Sequence, residues 1–165
     1  MKIELKNVKH SEFASHETNC YQATIYIDGK RVGTVENDGR GGCDSVHPYQ
    51  VARQIDEYAK TLPKRICSFI DPDTGKPAEL EQNYETIFGE LINDWLKAKD
   101  LKRLMSKRVL FQKEDGFIYQ TKCMASDALK QYLNEPKLQT LYQGKTVLNL
   151  LPFDQALNIY KGATA

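Results

Sequence analysis

From Tyr21 the chain alternates: Tyr21, Ala23, Ile25 and Ile27 are separated by Gln22, Thr24 and Tyr26. A period of two is the mark of a strand with one buried face. Asp28-Gly29 follows, and Arg31 to Glu36 returns through Val32 and Val35. An Asp-Gly pair between β-branched runs predicts a type I′ hairpin, because both central residues of that turn need positive φ. A shorter alternation predicts a starting or edge strand over Ile3 to Val8, and the polar stretch Ser11 to Asn19 is expected to be a loop held by Phe13.

The period then changes. Val51, Ala52, Ile55, Tyr58, Ala59 and Leu62 recur at spacings of three and four, with Pro48 expected in the first helical turn, Ser45 or His47 near the cap, and Pro63 ending the pattern. Ile66 to Ile70 reads as a short buried strand, followed by an irregular connection over Asp71 to Pro77. The longest periodic segment runs from Ala78 to about Lys107, with Tyr84, Ile87, Phe88, Leu91, Ile92 and Trp95 in one stripe. Gly89 inside that stripe suggests close approach of another element. Val109 to Phe111 and Phe117 to Thr121 flank a second Asp-Gly turn. A short helix capped by Ser126, a strand over Thr146 to Leu150, and a closing helix over Pro152 to Tyr160 stopped by Gly162 complete the pattern. Hairpins interspersed with helices predict a single α+β domain over residues 1–165, with one long and two or three shorter helices.

Composition removes several functions. Lys and Arg total 23 against 22 Asp and Glu, so there is neither the field of a general nucleic-acid binder nor that of a DNA mimic. No run approaches the roughly 18 apolar residues of a membrane helix, and the start lacks the apolar core of a signal peptide, so a cytoplasmic protein without a membrane partner is expected. Cys20, Cys43, Cys67 and Cys123 form no C-x-x-C pair, so no metal and no cofactor are expected. A metal site would need Cys43 and His47 to meet a distant third ligand.

The chemistry concentrates in Asn37 to Pro48, NDGRGGCDSVHP, at the junction of a strand pattern and a helix pattern. Gly39, Gly41 and Gly42 allow close backbone approach, Arg40 can meet phosphate or carboxylate in a bidentate fashion, and a helix N-terminus nearby would favour an anion. Asp38, Asp44 and His47 complete the candidate ligand- or partner-binding set. The string is neither a P-loop nor a dinucleotide fingerprint, and a connection whose glycines only serve turn geometry stands beside the site reading. Cys43 with His47, oriented by Asp38 or Asp44, would be a minimal nucleophile set, but no family signature surrounds the cysteine. Tyr26 is either a recognition aromatic or the cover of a packed helix, while His10 and His16 are expected to be exposed polar side chains. A second candidate surface is the basic end of the long helical segment, Lys99, Lys102, Arg103, Lys107 and Arg108, which equally suits the helix dipole.

The string KIELKNVKHSEFAS, followed by ETNCYQATIYIDGKRVGTVENDGRGG, resembles a group of small bacteriophage and prophage accessory proteins. The resemblance covers roughly the first fifty residues and implies an origin more than an activity. Such proteins often act on the host by binding, including inhibition of defence systems. The resulting expectation is a non-enzymatic binding protein of a bacterial host's cytoplasm, a counter-defence inhibitor whose partner is a host protein or a small phosphorylated ligand. The alternatives are an enzyme acting on a nucleotide or nucleic acid through the glycine-rich loop, and a nucleic-acid-binding accessory protein using the basic helix end. The pattern sets no oligomeric state.

Overall fold

The computed structural model describes residues 1–163 and has an α+β fold. Its contacts gather into two compact units, the first Met1–Ile92 and the second from Asn93 onward. The first contains β1 (Ile3–Ser11), β2 (Cys20–Ile27), β3 (Lys30–Asp38), β4 (Ser45–His47), α1 (Tyr49–Ala59), β5 (Arg65–Ile70) and β6 (Pro77–Leu80). Helix α2 (Tyr84–Met105) starts in the first unit and ends in the second. The second unit continues with β7 (Leu110–Gln112), β8 (Ile118–Gln120), α3 (Ser126–Leu133), α4 (Lys137–Leu141), β9 (Thr146–Val147), a 3-10 turn over Leu148–Leu150, and α5 (Phe153–Ala163).

Strands β1 to β4 form an antiparallel sheet in chain order. The β2–β3 turn has the geometry its Asp-Gly pair predicts: φ is 48° at Asp28 and 80° at Gly29. Tyr21, Ala23, Ile25, Ile27 and Val35 are buried, as the alternation requires. The other face carries Tyr26, whose ring lies 4.5 Å from Lys6 Nζ. A bulge shifts the β2–β3 register between Ile25 and Tyr26, leaving Ile25 opposite Gly33. Gly33 is where β4 comes closest. A Cβ there would stand 2.5 Å from the His47 carbonyl oxygen and 3.2 Å from Pro48 Cδ.

The apolar stripe of α1 buries Val51, Ala52, Ile55 and Ala59. Its start differs from expectation: Ser45 and His47 belong to β4, Pro48 is itself the cap residue, and no side chain caps the helix. Helix α2 begins at Tyr84 and not at Ala78, because Asn83 and Thr86 form a reciprocal cap. Thr86 N donates to Asn83 Oδ1 at 2.9 Å, and Asn83 N donates to Thr86 Oγ1 at 3.0 Å. Ala78 instead lies in β6, which pairs with β5 across the Asp71 to Pro77 connection. The β5–β6 ribbon is not buried: Ile66, Phe69, Ile70 and Leu80 are exposed. Phe13 is 94% exposed and anchors nothing, whereas Ser15 Oγ and the backbone of Gly39 hold its loop.

In the second unit, Leu101, Leu110, Leu148 and Ala156 form one buried cluster, and Val109, Leu129 and Val147 another. Asn149 joins its irregular parts. Leu110 N donates to Asn149 Oδ1 at 2.8 Å, while Asn149 Nδ2 donates to the carbonyls of Met105 and Arg108. Tyr160 donates to Asp100 Oδ2 at 2.7 Å and, ahead of Arg103, holds that carboxyl below its usual range. The expected Thr146 to Leu150 strand stops at Val147 and turns into the 3-10 segment; Ser126 is the first helical residue with no capping bond, and Gly162 lies inside α5.

Replacing Gly33 by alanine pushes a methyl group into the β4 backbone, so Gly33→Ala is expected to destabilise the protein by about 1–3 kcal/mol in urea titrations. An unchanged midpoint would show that β4 moves freely.

Candidate functional site

The 37–44 segment is the end of β3 and its connection to β4, not a strand-to-helix link, since β4 separates it from α1. The expected aim of a helix N-terminus at a bound anion is therefore not met. Three of its backbone amides are engaged as well: Gly39 N donates to Asn37 Oδ1, Arg40 N to Asp38 Oδ1, and Gly41 N to Thr18 Oγ1. An anion nest needs those N–H groups free.

Asn37 organises this loop with every polar atom of its amide. Its Oδ1 accepts from Thr18 Oγ1 at 2.8 Å and from Gly39 N at 2.9 Å; its Nδ2 donates to Gly42 O at 2.9 Å and Asp44 Oδ1 at 3.0 Å. The Gly39 carbonyl in turn accepts from the amides of His16, Glu17 and Thr18. Gly39 has φ 81°, and a Cβ there would collide with Ala14 O, so both conformation and space require glycine.

Two concavities flank the loop, both within the first unit. The larger, about 780 Å³, lies over a polar row that crosses the whole sheet: Lys9 faces Gln22, Gln22 faces Glu36, and Glu36 faces Ser45. Asp38 belongs to this side. His10 borders it and is half-buried, with Nε2 3.4 Å from both Asn19 Oδ1 and Ser15 Oγ, so it is not the exposed side chain expected. The smaller cavity, about 330 Å³, opens behind the loop. Tyr21 and Asn37, which are cross-strand partners, meet there with Gly41, Gly42, Cys43 and Asp44, while Glu85, Gly89 and Ile92 come from one face of α2.

Charge in the smaller cavity is one-sided. Among the described residues, Asp44 and Glu85 are the carboxyls that line it, and no Lys, Arg or His does. Burial pushes the Asp44 carboxyl above its usual range; hydrogen bonds from Asn37 and Tyr21 work against that rise, and the Glu85 charge adds to it. Tyr84 is pushed up to about 12 by burial and by Glu85. Tyr21 is 6% exposed, and burial followed by the Asp44 charge pushes its phenol upward. The Tyr21 hydroxyl is buried beside Asp44, whose charge and hydrogen bonding both oppose its ionisation.

The remaining candidate residues separate. Asp38 faces the larger groove, Arg40 is exposed at the loop's surface, and His47 is exposed on β4 and lines neither concavity. Hydrogen bonding to Glu85, and then its charge, push the Cys43 thiol up, the reverse of what a nucleophilic thiolate needs. Among the described residues no group of three or more His, Cys, Asp or Glu side chains is arranged to hold a metal ion, and no helix is long and apolar enough to cross a membrane. In the second unit, the basic positions have local partners: Lys102 lies 4.8 Å from the Phe153 ring, Lys99 5.1 Å from the Trp95 ring, and Arg103 pairs with Asp100. Lys107 is exposed and Arg108 half-buried beyond the helix end. Sequence reasoning missed Tyr21, Glu85 and Gly89. The first was assigned to the core, and the other two lie on a helix face whose apolar stripe drew attention elsewhere. Gly89 admits no close element, since nothing lies within 4 Å of where its Cβ would stand.

No family model, curated protein or solved structure matches the chain.

A carboxyl with a raised folded pKa adds stability below its ordinary value of 3.8 and loses it as pH rises through the shifted value. Asp44→Asn keeps an acceptor for Asn37 and removes the ionisation. The variant is expected to match wild type near pH 3.5 and to exceed it in stability increasingly toward pH 7, with urea unfolding at each pH as the measurement. Parallel curves would place Asp44 in ordinary solvent.

Proposed function

We propose that the chain is a non-enzymatic binding protein that holds a host protein at the rim formed by the 37–44 loop, as a phage-encoded inhibitor of a defence system would. The observation that carries this reading is a loop that is exposed at Arg40, Gly41, Gly42 and Cys43 and yet fixed by the four bonds of Asn37. A surface loop already held in one conformation loses little entropy on binding, so its contacts are converted into affinity. Arg40 supplies an exposed guanidinium at that rim, suited to a carboxylate of the partner. The resemblance of the first fifty residues to phage accessory proteins supports the choice of a host target.

Between the two expected ligand classes, the geometry favours a protein over a phosphorylated small molecule. The amides of Gly39, Arg40 and Gly41 are already bonded, and the cavity behind them presents carboxylates. An enzymatic reading has less support, because the Cys43 thiol is raised and His47 lines neither concavity.

The test is co-expression with a panel of bacterial defence systems during phage challenge. Wild type is expected to restore plating against at least one system by tenfold or more, with Arg40→Ala and Asn37→Ala each losing most of that relief at unchanged expression. Full restriction by every system in the panel would remove the inhibitor reading. Incubation with nucleotides and nucleic acids, with and without divalent metal, is expected to give no turnover; any turnover would replace the binding reading by the enzymatic one.

A further inference from the structure

We propose that the β5–β6 ribbon is a dimerisation edge, at which β5 of one copy pairs antiparallel with β5 of a second copy about a two-fold axis through Ser68. The ribbon is a sheet of two strands, and no third strand continues it among the described residues. Such a ribbon is marginal by itself, and its open edge is a template for another strand. One face rests on the protein: Ala78 is buried, and Arg65 reaches Glu90 of α2. Ile66 and Ile70 pair with Glu79 and Pro77, two positions apart on β6, which puts both isoleucines on the opposite face. They are 71% and 57% exposed. Of the two edges, β6 is the poorer, with four residues that open on a proline, whereas β5 has six residues, no proline and one charge.

What selects a second copy is that β5 and its flanks are self-complementary. A two-fold contact between antiparallel strands sets residues equidistant from the axis against each other. About Ser68, that places Ile66 against Ile70 of the second copy and Arg65 against its Asp71, so apolar meets apolar and base meets acid at both ends. Lys64 before the strand and Asp73 after it extend the same polarity. A parallel pairing would set base on base and acid on acid. Within one copy, Arg65 Nη1 lies 3.8 Å from Glu90 Oε1, an exposed pair that holds it only weakly. Asp71 Oδ1 accepts from the amides of Asp73 and Thr74, which fixes its carboxylate at the strand end. The β5–β6 register shifts between Ile66 and Ile70, so the contact rests on the isoleucines and the charged ends and not on an unbroken ladder. Six residues a side bury less than a standard interface, which makes the dimer a weak one that depends on concentration.

The experiment is sedimentation equilibrium of the full chain, expected to pass from monomer to dimer as its concentration rises from about 2 to 200 µM. The Ile66→Ser/Ile70→Ser variant is expected to stay monomeric over that range with its thermal transition retained, since both side chains are exposed. Lys64→Glu/Arg65→Glu, which sets acid against acid across the axis, is expected to weaken the dimer at least tenfold. In a Cys43→Ser/Cys123→Ser background under mild oxidation, Ser68→Cys is expected to form a disulfide-linked dimer, while the parent and Thr74→Cys, in the β5–β6 turn, do not. A monomer at every concentration would overturn the proposal and leave the ribbon to a partner of other chemistry. Growth past the dimer, a dimer that either double variant leaves intact, or equal cross-linking at positions 68 and 74 would overturn it as well. None of these readouts involves the 37–44 loop, so the dimer stands or falls apart from the proposed binding of a host protein.

Discussion

The amide of Asn37 is the constraint on which the candidate site depends. A loop with three glycines in four residues has a large conformational entropy to lose, and no apolar side chain within it is buried to offset that loss. What replaces hydrophobic burial is a complete set of hydrogen bonds. Two donors and two acceptor positions of one side chain tie together Thr18, Gly39, Gly42 and Asp44, three of which belong to the loop itself. Each bond contributes only about 0.5–1.5 kcal/mol net, but they share one rigid amide, so the loop has few ways to rearrange that keep more than one of them. The same device recurs in the second unit. Asn149 uses its Oδ1 on the β7 amide of Leu110 and its Nδ2 on the carbonyls of Met105 and Arg108, holding backbone that neither helix nor sheet satisfies.

Fixing the loop has a consequence for its chemistry. Glycine-rich connections hold anions when their amides point outward, and here those amides point to Asn37, Asp38 and Thr18 instead. The loop is therefore a rigid rim, with Arg40 as its exposed charge, and not a cradle. Behind the rim, the chain brings together groups of one sign from distant positions: Asp44 at the end of the loop and Glu85 one residue into α2. Acids gathered without a cation cost stability through desolvation and repulsion, which is the cause of the raised Asp44 carboxyl. These acids stand beside the buried Tyr21 phenol and across from Gly89, whose position on α2 is open.

Local chemistry decided which elements could be read from the chain. The β2–β3 hairpin was legible because Asp28 and Gly29 are residue types suited to a turn that needs two positive φ values, and the flanking alternation agreed with it. Helix α1 was legible because its period and burial coincide. Helix α2 was misplaced at its start because apolar period extends through Ala78 and Leu80, while the true boundary is set by the Asn83–Thr86 cap, a shorter signal. Strand β5 was legible over Ile66 to Ile70, but its exposure and its partner β6 were not. The ribbon's apolar residues suggested burial, and four of them are exposed, so composition described the strand without describing its surroundings.

The site was legible only as a stretch of chain. Glycines in the Asn37 to Pro48 segment marked an unusual backbone, but their cause lies elsewhere: Gly39 is required by the carbonyl of Ala14, and Gly41 would meet the carboxylate of Glu17 if it carried a Cβ. Both neighbours belong to the polar loop before β2, whose sequence shows no sign of that contact. Tyr21 presents the same difficulty more sharply. Its position in an alternating strand assigns the ring to the core correctly, and its hydroxyl at the end of that ring reaches past the apolar layer to the acids behind the loop. A tyrosine has both an apolar body and a polar tip, so the period that places the one says nothing of the other. Strand register fixes where the ring is buried, and residues more than twenty and sixty positions away fix what its oxygen meets.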